Sequence, residues 1–201
     1  MSSPDSAQVA DRPGGTHNRE PHMIALGIDP GGKKGVAWAV YDDEADHLTV
    51  GMEKPCPGEE AVHSAHRIAD RLIADYSVWV LGIEVQHIPR LPQSAMPGDR
   101  TKALGIIYAQ AAAALKLAEV VGACKAAAHY NGTKVVDLQP ATIKQAITGK
   151  GNASKEQVRK MVLALFGARM TLVRNPREKK VLREDEADAS AAAIASLRRA
   201  T

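Results

Sequence analysis

The sequence predicts an α/β fold, with one mixed sheet and helices packed on both of its faces. Three observations carry that expectation. Short apolar runs alternate with longer segments whose apolar residues recur every three to four positions. Their order is three strands, helix, strand, helix, strand and then helices. The first three strands are separated by short gaps consistent with hairpins, whereas the later strands are separated by helix-length segments that allow parallel crossovers. The chain has 201 residues, enough for one domain with a substantial core. Residues 1–22 are rich in Ser, Pro, Gly, Asp and Asn without an apolar period. They are expected to be a disordered leader to a folded domain over 23–201.

The elements follow in order. Residues 23–29 form an apolar strand and residues 35–41 a second, joined by the glycine-rich Pro30-Gly31-Gly32-Lys33-Lys34. A polar turn at 42–46 leads to a third strand near 47–53. Residues 59–75 place Ala61, Ala65, Ile68, Ala69, Leu72 and Ile73 on one helical face. A strand at 78–85 precedes a long alanine-rich helix at 101–121, with Asp99 near its N-cap. Residues 134–138 are a fifth strand, and Pro140 suits the first turn of a helix over 140–147. Ser154-Lys155-Glu156-Gln157 is a capping box that starts a helix over 154–166, and residues 184–199 form the last helix.

Composition narrows the function classes. Apolar content of 45% and charged content of 24% are ordinary for a soluble globular protein. No apolar run approaches the ~20 residues needed to span a bilayer, so no membrane association is expected. Cys56 and Cys124 lie far apart without a CxxC spacing, as in reduced cytosolic proteins. Net charge is only +3, but eleven Lys and Arg fall between Lys144 and Arg183, against Glu156 and Glu178 alone. Such a basic stripe suits phosphate groups. With seven aromatic residues in the whole chain, contacts to backbone phosphates should dominate over base stacking.

Four acids stand out against this background. Asp29 closes the apolar run Met23–Ile28, and Glu84 closes the run Val78–Ile83. A right-handed crossover sets these two strands side by side and parallel, so Asp29 and Glu84 meet at their carboxyl ends. Asp185 and Asp188, three apart, share one face at the start of the last helix. They would also suit the helix dipole alone. Carboxylates gathered at a buried edge repel one another unless something offsets the charge. Oxygen ligands without His or Cys suit magnesium or manganese. Two such ions about 4 Å apart are able to activate water and stabilise a leaving oxygen in phosphodiester hydrolysis.

Gly27-Ile28-Asp29-Pro30-Gly31, the strand ending Ile83-Glu84, and Asp185-Glu186-Ala187-Asp188-Ala189 resemble RuvC-type Holliday junction resolvases of the ribonuclease H-like superfamily. The segment from Pro140 to Val158 strengthens the likeness, which covers roughly residues 23–199. The resemblance implies a five-stranded ribonuclease H-like sheet in the order 3-2-1-4-5. It makes Asp29, Glu84, Asp185 and Asp188 the catalytic metal ligands for Mg2+, with Mn2+ as a substitute, and Lys155 a further catalytic residue. Lys144, Lys150, Lys155, Arg159 and His87 become DNA contacts. His87 takes the place where the family often has an aromatic residue. The implied activity is cleavage of four-way DNA junctions by a homodimer, with helix 101–121 supplying much of the interface or else serving as an intramolecular core helix, in the cytoplasm of a bacterium or a phage-infected cell.

Other readings stay open at this point. The long loop 88–100 and basic stretch 169–183 are closer to phage-type relatives, so a broader flap or branched-DNA nuclease is an alternative. A catalytically silent junction-binding scaffold is another. A nucleotide-binding ATPase of the sugar-kinase type would need two such domains, for which the chain is too short. Gly31-Gly32-Lys33-Lys34-Gly35 lacks the phosphate-loop pattern. His63 and His66, three apart on a helix, have no third ligand in view.

Overall fold

A computed structural model describes residues 22–30, 35–85, 100–175, 178 and 181–201. The leader through residue 21, the glycine-rich loop 31–34, His87, Asp99 and most of loop 88–100 lie outside the described residues. The elements are β1 (Ile24–Asp29), β2 (Val36–Asp42), β3 (His47–Glu53), α1 (Ala61–Tyr76), β4 (Val80–Glu84), α2 (Arg100–Tyr130) and β5 (Lys134–Leu138). Then come α3 (Pro140–Thr148), α4 (Lys155–Phe166), β6 (Met170–Val173) and α5 (Glu184–Ala200).

The α/β class and the ribonuclease H-like arrangement hold, with one correction. The sheet has six strands, in the order β5-β4-β1-β2-β3-β6, rather than five. The expected 3-2-1-4-5 arrangement survives intact, and β6 is added beside β3. β6 runs parallel to β3, with Leu48 opposite Met170 and Gly51 opposite Val173. Four residues between Arg169 and Arg174 read as part of a basic stretch in sequence. They become a strand because β3 otherwise offers an unpaired row of backbone groups.

The core forms on both sides of the sheet. On one side Leu26, Ile28, Leu81 and Ile83 meet Ile68, Leu72 and Cys124 from α1 and α2. On the other, Ala37, Ala39, Leu48 and Val50 meet the inner faces of α3, α4 and α5. Cys124 is buried and Cys56 is exposed, both as free thiols.

Helix α2 departs from expectation twice. It runs to Tyr130 instead of 121, because Val120, Val121, Cys124, Ala127 and Ala128 supply a further buried stripe against the core. Its segment Leu104–Tyr130 is also long and apolar enough, by length and composition, to cross a membrane. The sequence reading missed this because Lys116, Glu119 and Lys125 interrupt the run without outweighing it. Before Val120 the described side chains of α2 are exposed or only partly covered, with Tyr108 at 72% and Leu115 at 66% exposure.

Candidate metal centre at the carboxyl edge of β1 and β4

The site follows from strand alternation. Side chains two apart on a strand share a face. Leu26 and Ile28 point toward α1, so Ala25, Gly27 and Asp29 point the other way, toward α5. The parallel register sets Gly27 beside Gly82 and Ile28 beside Ile83, so Asp29 and Glu84 end adjacent strands on that same face.

Two glycines bring the last helix down onto them. A Cβ at Gly27 would collide with the carbonyl oxygen of Ala189 and the nitrogen of Ala193. One at Gly82 would collide with the Ala192 carbonyl oxygen and with Ser196. Backbone thus lies directly on backbone. Further along, Ala193 and Leu197 pack on Ala25 and Val80. The helix therefore runs antiparallel to β1, with its N-terminus over the carboxyl ends of β1 and β4. Asp185 lies one helical turn before Ala189, and Asp188 one turn before Ala192. All four acids converge.

The electrostatics agree with this placement. Burial, then the charges of Asp188 and Asp185, push the Asp29 carboxyl up to about 7. Glu84 is raised too, by burial and by Asp188. Two lysines answer part of the charge. Lys155, the first residue of α4, is presented by a complete capping box between Ser154 and Gln157. Its Nζ lies 2.9 Å from Asp188 Oδ2, and this hydrogen bond raises the lysine's own pKa. Lys155, and then Lys144 on α3, offset part of the rise at Glu84.

The other sequence candidates are placed differently. Lys150 is exposed on the turn between α3 and α4. Arg159 is held by Glu156 at 3.1 Å and donates to the Leu182 carbonyl, so its guanidinium is not aimed at the acids. His63 and His66 are exposed on α1. A separate group, His22, Asp42 and Asp43, has ligand atoms within 4.8 Å of one another at the opposite end of β1. There Asp42 accepts the Ala45 N–H and closes the β2–β3 turn, while Asp43 accepts the Met23 N–H across the start of β1. Sequence reasoning passed over Glu186, which lies fully buried between the two helix acids.

Comparison with known proteins adds the decisive observation. Residues 101–196 match the family model described as Crossover junction endodeoxyribonuclease RuvC. The protein of that name from Pelodictyon phaeoclathratiforme (strain DSM 5477 / BU-1) is 31% identical over 150 residues, covering 72% of this chain and 68% of the relative. Its counterpart from Nitratidesulfovibrio vulgaris (strain Hildenborough) is 32% identical over 153 residues, covering 73% and 80%. The chain belongs to the RuvC family. Two structures of Thermus thermophilus RuvC, the second in complex with Holliday junction substrate, share the fold with TM-scores of 0.58 and 0.57 at 24% and 23% identity. Each match covers 89% of this chain and 95% of that one. In this RuvC-family chain the converging side chains are all carboxylates, and burial together with neighbouring acids raises both Asp29 and Glu84. Both properties fit a hard divalent cation.

Proposed function

We propose that this chain is a crossover junction endodeoxyribonuclease that hydrolyses phosphodiesters in four-way DNA junctions, with Mg2+ as its resident ion and Mn2+ able to replace it. The carrying observation is the convergence of Asp29, Glu84, Asp185 and Asp188 through the β1–β4 register and the glycine contacts of α5. These carboxylates would hold the metal. Ions bound there supply an activated water and charge stabilisation at the leaving oxygen.

The remaining work belongs to the protein. Asp188 holds the Lys155 ammonium beside the carboxylates, where it meets an incoming phosphate. Lys144 adds positive charge beside Glu84. Lys150, exposed on its turn, extends the basic surface to the flanking DNA backbone. The exposed face of α2, with Leu104, Tyr108 and Leu115, is covered by a second copy rather than by lipid. A two-fold dimer would then present two centres to opposed strands. Free thiols at Cys56 and Cys124 accord with action in the cytoplasm.

The test is cleavage of a labelled immobile four-way junction beside a flap, a fork and linear duplex, with and without Mg2+. Paired symmetric nicks confined to the junction are expected. Asp29→Asn should abolish cutting and keep junction binding. Equal cutting of flaps and forks would instead make the chain a general debranching nuclease, and binding without cutting in either ion would make it a scaffold.

A further inference from the structure

One buried ion pair in the fold has no role in the chemistry described so far. Arg174, just after β6, places Nη2 2.5 Å from Glu186 Oε2, with side-chain exposures of 3% and 0%. Glu186 is the third residue of α5, and the same Oε2 accepts the Arg183 backbone N–H at 2.8 Å. Arg174 also donates to the carbonyls of Val173 and Val181, at 3.1 and 3.4 Å. One guanidinium thus ties together the end of β6, the chain entering α5 and the helix's first turn. Arg174 Nε and Glu186 Oε1 are buried and have no hydrogen-bond partner among the described residues.

That is an expensive arrangement for stability alone. Taking two charges out of water is costly, and a pair of this kind is commonly matched in stability by uncharged side chains of similar size. Its position suggests what it is for. Glu186 lies between Asp185 and Asp188, in the only turn that delivers acids from α5 to the site. Without a fixed first turn, those carboxylates would fray away from Asp29 and Glu84 as helix ends do.

We infer that Arg174 and Glu186 form a positioning pair that holds the first turn of α5 in register over β1 and β4, so that Asp185 and Asp188 bind metal together with Asp29 and Glu84. The inference rests on the metal centre proposed above. It also gives β6 a reason to exist, since that strand anchors Arg174 to the sheet. Neither residue touches the reacting atoms, and their effect passes through the helix.

The experiment measures Mn2+ binding to the DNA-free protein by calorimetry, alongside thermal melting and junction cleavage. The double variant Arg174→Met with Glu186→Gln removes both charges and keeps an acceptor for the Arg183 N–H. It should melt within a few degrees of wild type yet bind Mn2+ about tenfold or more weakly, as losing a ligand-orienting partner does. Arg174→Lys keeps the charge without the planar fork, and should weaken binding by a smaller factor. Wild-type Mn2+ affinity in either folded variant would overturn the proposal and leave the pair a stability device. Failure of both variants to fold would overturn it too, by making the pair a requirement of the whole fold. Wild-type protein that binds no Mn2+ would overturn the metal reading itself, a result distinct from the others.

Discussion

Asp29 bears the clearest electrostatic cost of the site, with Glu84 raised beside it. The Asp29 pKa is raised from 3.8 to about 7, first by burial and then by Asp188 and Asp185. Between those two values the folded chain keeps a proton that the unfolded chain has released. Metal-free stability therefore falls as pH rises from about 4 to about 7, and the penalty is complete above 7. Asp29→Asn removes the titration. With a chelator present at pH 8, it should stabilise the protein by about 1–2 kcal/mol, less than the full shift implies because water reaches the site's edge. For a domain of this size that is a Tm increase of about 2–8 °C, and little change is expected near pH 4. A melting curve that responds to pH alike in both proteins would count against the assignment. Gly27 makes a different kind of demand. Gly27→Ala must push α5 off β1, because the obstacle is helix backbone rather than a movable side chain. Denaturant unfolding should show a loss of about 1–3 kcal/mol or more, accompanied by weaker Mn2+ binding.

At the scale of elements, α2 and α5 show what helical sequence conveys and what it leaves out. In α2 the buried stripe begins at Val120, whereas Leu104, Ile107, Tyr108 and Leu115 stay exposed at helical spacing on the preceding turns. An apolar face of that length needs a cover. Tyr108→Glu with Leu115→Glu should convert a dimer to a monomer in sedimentation velocity while the melting curve stays cooperative. A wild-type monomer at micromolar concentration would refute α2 as the contact. For α5, the DxxD spacing already announced two acids on one face. The spacing could not distinguish a metal centre from a pair placed to suit the helix dipole. The contacts of Ala189 with Gly27 and of Ala192 with Gly82 settled where that face lies.

For the whole molecule, the modest net charge of +3 hides a division of labour. Acids gather at the strand ends, with Lys144 and Lys155 at their border and Lys150 further out. Junction binding should weaken steeply with salt, and Lys144→Ala or Lys150→Ala should each flatten the log–log slope by roughly one unit. Fluorescence anisotropy across a salt series measures this directly. An unchanged slope would place the lysine outside the DNA contact. Arg159→Ala should change the slope less, since its guanidinium already serves Glu156 and the Leu182 carbonyl.

Much of this was determined by the sequence itself. Apolar runs of period two and helical faces of period 3.6 are local properties, so the class, the first five strands and the four acids were legible. Closing an apolar run with Asp29 or Glu84 is a local signal as well. Tertiary structure alone decided the rest, because the rest depends on contacts between distant residues. β6 is too short to announce itself and forms by pairing with the open edge of β3. The length of α2 depends on the core it reaches at Val120. Arg174 and Glu186 carry no sequence pattern, twelve positions apart with opposite charges in a charged region. Burial alone sets them apart. A charge in water is ordinary, whereas the same charge sealed beneath a helix has to be matched.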